Sequence, residues 1–149
     1  MATMTKVKPQ QPIIVPPAKG EALKIGDLEV IRKVRSQDTA EVFSVVEIIA
    51  PAKSGIALHV HEREDELVRI LEGSVQVTLG DQTMEATEGV MALLPRGIPH
   101  GFTNHSDVTA RLLVTILPGA LDNYFAELAG LSSPQDIEQL NDRFAVKFL

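Results

Sequence analysis

The sequence predicts a mainly β fold, a closed barrel or a sandwich, followed by one or two short helices. Three observations carry this. Between Leu23 and Leu117, short stretches rich in β-branched residues recur with period-2 alternation. Glycines at positions 26, 55, 73, 89 and 97 fall between them with no helical periodicity intervening. After Pro118-Gly119 the apolar spacing lengthens to that of a helix face.

Residues 1–20 hold four of the nine prolines (Pro9, Pro12, Pro16, Pro17) and too few apolar residues to pack alone, so they read as an extended arm. Residues 21–118 read as the barrel. Phe43 and Val45 lie in a β-branched run. Val75, Val77 and Leu79 alternate with Ser74, Gln76 and Thr78, and Gly80-Asp81 supplies a tight turn into Thr83–Ala86, which makes a hairpin. Residues 119–149 read as a helical extension. Leu121, Tyr124, Phe125 and Leu128 share one helix face, and Gly130 stops the helix. Ser133 is placed as an N-cap, with Pro134 at the first helical position; Ile137, Leu140 and Phe144 form a second stripe. This extension holds four of the six aromatic residues, which are expected to pack against the barrel.

Composition narrows the function classes. The chain of 149 residues has 44% hydrophobic and 23% charged residues, the balance of an ordinary globular domain. It contains no cysteine, which excludes disulfides, thiolate metal sites and cysteine nucleophiles. A net charge of −6 argues against a nucleic-acid partner. No run approaches the ~18 apolar residues of a membrane span, and none near the start matches the ~7–15 of a secretory leader. The expectation is a soluble, cytoplasmic protein with no membrane partner.

All four histidines fall between positions 59 and 105. His59 and His61 are two apart, which in a strand puts both imidazoles on one face within reach of a single ion. Ala57, His59 and His61 alternate with Leu58 and Val60, as such a strand requires. An acidic turn follows with Glu62, Glu64, Asp65 and Glu66. Glu66 heads the next strand, where it shares a face with Val68 and Ile70 and can point inward at the histidine pair. His100 ends the stiff turn Pro95-Arg96-Gly97-Ile98-Pro99, with Phe102 and Asn104 on its face. His105 has the opposite parity and reads as an exposed turn residue. Asn104 reads as a brace for that turn. Arg69 points away from Glu66, and Arg96 reads as a surface arginine.

The segment from Gly55 to Gly73, with His59, His61, Glu66 and six further residues before Gly73, resembles the first conserved motif of the cupin family. Its front is shorter than usual: three residues, rather than five, separate Gly55 from His59. Gly89, five residues, Pro95, Gly97, His100 and Asn104 resemble the second motif. Within the family, the likeness is to short single-domain proteins grouped with quercetin 2,3-dioxygenase. The resemblance implies a double-stranded β-helix, or jelly-roll barrel. It implies one divalent transition metal (iron, manganese, nickel, copper, cobalt or zinc) held by His59, His61, Glu66 and His100. It further implies a homodimer.

The function expected on this basis is a metal-dependent dioxygenase cleaving a small aromatic or enolic, flavonol-like substrate, with Glu66 as the catalytic base. Ala57, Val68, Ile70 and Phe102 are expected to face inward and form an apolar substrate pocket. Two alternatives stand beside it: a binding cupin without turnover, and a metal-dependent isomerase or lyase. The latter needs a second acid or base, for which Glu64 and Asp65 are the candidates.

Overall fold

In the computed structural model, which describes residues 11–149, the period-2 stretches become strands of two facing antiparallel sheets. The strands are β1 (Glu21–Ile25), β2 (Leu28–Val34), β3 (Ser44–Ala50), β4 (Gly55–His61), β5 (Asp65–Glu72), β6 (Ser74–Leu79), β7 (Gln82–Thr87), β8 (Met91–Leu94), β9 (His100–Thr103), β10 (Ala110–Leu117) and β11 (Val146–Phe148). Two helices, α1 (Asp122–Leu128) and α2 (Pro134–Arg143), come between β10 and β11. The first ten residues of the expected arm lie outside the described residues. Further along the arm, the Pro16 and Lys19 carbonyls accept from the Lys33 ammonium on β2.

One sheet runs β1-β2-β3-β10-β5-β8 and the other β11-β4-β9-β6-β7. Strands far apart in sequence become neighbours, as with β3 and β10 or β4 and β9, and this is the connectivity of a jelly-roll barrel. Alternation along each strand sets the interior. Val46, Ile48 and Ala50 of β3, Leu112, Val114 and Ile116 of β10, and Val68 and Ile70 of β5 are all buried. Val75 and Ala86 of the β6–β7 hairpin face them from the other sheet. Each large aliphatic side chain so buried contributes about 1.5–3 kcal/mol.

The helices close one corner. Arg32 follows Leu28 and Val30 on the inward parity of β2, and a guanidinium there needs a partner. Asp122 at the start of α1 supplies it: its Oδ2 accepts from Arg32 Nη2 at 2.8 Å, Arg32 Nε at 3.1 Å and the Ser36 amide at 2.9 Å. Helix α2 begins as the sequence predicts, with the Ser133 hydroxyl accepting from the Asp136 amide. The Tyr124 hydroxyl then donates to Asn141 and joins the two helices.

The extension differs from expectation in one respect. After α2 the chain returns as β11 and joins the edge of β4, with Val146 opposite His61 and Phe148 opposite His59. Phe148, grouped with the helical aromatics by sequence, is therefore a strand residue. Three residues are too few to display a period, and the driving force is non-local: the β4 edge would otherwise leave backbone groups unpaired.

Candidate metal centre

Each imidazole reaches the interior by a different local device. On β4, residues Gly55 and Ile56 pair with Thr103 and Phe102 of β9, and His59 pairs with His100. Three residues on β4 thus span the interval covered by two on β9, which is a β-bulge. The bulge changes the parity expected at Ala57. Ile56 stands opposite Phe102, while Ala57 is exposed at the cavity rim. The Ala57 carbonyl still serves the site, because it accepts from His59 Nδ1 at 2.8 Å.

The bulge also demands glycine on the facing strand. A Cβ at Gly101 would lie 2.8 Å from the Ile56 carbonyl oxygen and 3.1 Å from the Leu58 nitrogen. Gly101 and Ile56 were invisible to motif reasoning, because only the pairing of β4 with β9 brings them together.

His100 is delivered by the turn that precedes it. Gly97 donates its amide to the His61 carbonyl, and Arg96 clamps Asp65 through its amide and its guanidinium. Arg96 thus braces a turn rather than facing the interior. His100 Nδ1 donates to the Ile98 carbonyl at 3.2 Å. Asn104 is fully buried, and its amide donates to Ala50, Pro51 and Val108 carbonyls, so it is a brace. The His105 imidazole meets Gln76 on the exposed surface, and Arg69 is exposed on the outer face of β5.

The structure brings together His59, His61, His100 and Glu66, all buried. The three histidines come from the five-stranded sheet and Glu66 from the opposite one. The Nε2 atoms of His59 and His61 are 3.1 Å apart; Glu66 Oε1 is 3.4 Å from His61 Nε2, and Oε2 is 3.3 Å from His100 Nε2. Ligands about 2.0–2.2 Å from one ion, at near-octahedral or tetrahedral angles, stand roughly 3.0–3.4 Å from each other. The donor set fits a shared divalent ion.

The protonation states point the same way. With Nδ1 donating to a carbonyl in both His59 and His100, each Nε2 carries its lone pair into the site. The His100 lone pair faces a carboxylate oxygen without a hydrogen bond between them. Two acceptors so close in a buried site call for a cation. Burial pushes His59 down to about 4 and lowers His61 as well, so these two imidazoles are neutral near pH 7. Burial alone would raise Glu66, but its contacts with His100 and His61 outweigh that, and it sits below its ordinary value. Neutral imidazoles with an ionised carboxylate are the ligand forms a metal requires.

The four groups lie at the wall of a cavity of about 470 Å³, within the range of small-molecule sites. Ala57, Val68, Ile70 and Phe102 are among the residues that line it, together with Ile56, Val114 and Phe148. Glu64 and Asp65 do not line it. Glu64 is buried, which pushes its carboxyl up to about 7, and Asp65 is held by Arg96 below its ordinary value.

Comparisons with known proteins agree with this architecture. The description "Cupin domain" matches residues 45–116. The chain is 23% identical over 116 residues to quercetin 2,3-dioxygenase of Bacillus subtilis, covering 78% of this chain and 34% of that protein. It is 32% identical over 75 residues to an uncharacterized protein of Methanocaldococcus jannaschii, covering 50% of this chain and 60% of the relative. The match thus spans about a third of one curated relative and under two-thirds of the other. Among solved structures, a predicted oxalate decarboxylase from Thermotoga maritima superposes with a TM-score of 0.67 at 18% identity, over 71% of this chain and 99% of that one. KdgF from a Halomonas species superposes with a TM-score of 0.68 at 13% identity, over 76% and 99%. At such identities these structures speak for the fold alone.

Proposed function

Residues 45–116 are a cupin domain, and from that premise we propose that the protein is a metal-dependent dioxygenase that cleaves a small aromatic or enolic, flavonol-like substrate. One observation carries the proposal: three imidazoles and an ionised carboxylate converge on the wall of a largely apolar cavity of about 470 Å³. His59, His61, Glu66 and His100 are the metal ligands. A flat phenolic ligand suits these walls, whereas a sugar phosphate would want free arginine or lysine around the ligands; Lys53, which lines the cavity, is paired with Asp107.

A divalent transition ion held there supplies Lewis acidity towards a substrate hydroxyl and, where it is redox-active, a path for electrons to dioxygen. The protein's own part is positioning and proton transfer. The carbonyls of Ala57 and Ile98 fix the ring orientations of His59 and His100. Glu66 is the general base: its carboxylate stays ionised and accepts the hydroxyl proton, leaving an electron-rich enolate. Val68, Ile70 and Phe102 flank the ring and exclude water while the carbon–carbon bond is broken.

Oxygen uptake by metal-loaded protein incubated with flavonols and other enols tests this. Consumption of dioxygen with ring-cleaved product supports it. Thermal stabilisation by the ligand without product would identify a binding protein instead, and oxygen-independent turnover would identify a lyase or isomerase. For the last, Glu64 and Asp65 give little support, since neither lines the cavity.

The same proposal includes a cytoplasmic homodimer. Its support is the outer face of the six-stranded sheet, where Met91 and Leu93 of the edge strand β8 are more than half exposed beside Leu67. Light scattering of the purified protein decides between one copy and two.

A further inference from the structure

The register of β11 on β4 has a chemical consequence for the site. Directly opposed residues of an antiparallel pair project on the same face of the sheet. Val146 lies opposite His61 and Phe148 opposite His59, so both point to the interior side with the imidazoles, and Lys147 points away. A slip of one residue would put the Lys147 ammonium beside His59 instead. The register is held at both ends, by the Glu62 amide donating to the Ala145 carbonyl and the Leu149 amide donating to the Leu58 carbonyl, each at 3.1 Å. The Arg63 guanidinium adds a bond to the Arg143 carbonyl at 3.0 Å.

Phe148 is consequently a fixed wall of the site. Its ring stacks on His59 with centroids 5.3 Å apart and planes inclined by 29°. It lines the cavity and is nonetheless 47% exposed, an uncommon state for a phenylalanine so well anchored. A large aromatic surface is therefore left uncovered at the edge of the metal centre. Across the sheet, Phe148, His59 and His100 form one cross-strand row, which sets this ring beside the imidazoles on the cavity wall.

We propose that Phe148 is a specificity-determining residue, a stacking platform that selects planar aromatic ligands over small non-aromatic ones at the same metal centre. This rests on the dioxygenase reading for the class of ligand, but it assigns the selection to a residue outside the metal ligands. Offset stacking on the exposed ring area favours a flat ligand and does nothing for a small dicarboxylate.

The test compares wild-type protein with Phe148→Ala and Phe148→Tyr, each loaded with the same divalent metal. Three quantities are measured: metal content, affinity for quercetin, and affinity for oxalate. The expected result is quercetin binding weakened about five- to tenfold in Phe148→Ala, with metal content and oxalate binding unchanged and with Phe148→Tyr close to wild type. Equal losses for both ligands, or a loss of metal, would make Phe148 a structural support and overturn the proposal. Unchanged quercetin binding in Phe148→Ala would overturn it while leaving the dioxygenase reading intact. Wild-type protein that holds metal but binds no quercetin would overturn both.

Discussion

Replacing Gly101 by alanine probes the geometry on which the metal centre depends. The added Cβ would stand 2.8 Å from the Ile56 carbonyl oxygen, 3.1 Å from the Leu58 nitrogen and 3.2 Å from the Ala57 carbonyl carbon, all of them backbone atoms. Ordinary contact begins at 3.4 Å, so β4 must retreat from β9 by about half an ångström. No rotamer change can relieve a clash with backbone, and overpacking of this kind destabilises by about 1–3 kcal/mol. The retreat occurs where the Ala57 carbonyl holds His59 and where His59 faces His100. A centre of this type tolerates only about 0.5 Å of misplacement. Gly101→Ala should therefore lose about 1–3 kcal/mol in urea unfolding of the metal-free protein and bind metal at least about tenfold more weakly by titration calorimetry. Gly130→Ala is the control: its Cβ would meet only the Glu127 carbonyl oxygen, at 3.7 Å, and should leave both quantities near wild type. Wild-type stability and metal affinity in Gly101→Ala would refute the claim that the β4–β9 contact sets the site.

His61→Ala and His100→Ala should keep the circular dichroism of the wild type while metal content, read by elemental analysis, falls with an affinity loss of at least about 10- to 100-fold. Asp122→Ala leaves the Arg32 guanidinium buried without its main partner and should cost about 3–5 kcal/mol in chemical denaturation, with metal affinity unchanged. In metal-free protein the depressed His59, at about 4 against an ordinary 6.5, contributes stability that is complete above about pH 6.5 and lost as pH falls toward 4. Glu64, raised to about 7 from 4.5, acts in the opposite sense, because its protonation on acidification favours the folded state. Glu64→Gln should thus steepen the acid-side loss of stability seen in denaturant titrations from pH 7 to 4, and an unchanged slope would contradict the Glu64 assignment.

The barrel was legible in the chain because its signals are local and repeated. Alternation at Val75, Val77 and Leu79 with the Gly80-Asp81 turn is enough for a hairpin, and that hairpin is β6–β7. The caps of the helices were equally local: Ser133 and Pro134 act within one turn of where they stand. The four inward groups could be named because parity along two strands and one stiff turn orients each of them separately. What the sequence could not determine is where parity breaks. A bulge is a property of two strands in register, so the exchange of Ala57 for Ile56 opposite Phe102, and the need for glycine at 101, arise only when β4 and β9 meet. The same holds for Phe148. Three residues after a helix carry no period of their own, and their strand exists because the β4 edge offers unpaired amides and carbonyls some 85 residues earlier in the chain. Local chemistry thus wrote the fold and the donor set into the sequence, whereas distances between donors and the walls around them belong to strand pairing, a long-range choice made by backbone hydrogen bonding and close packing.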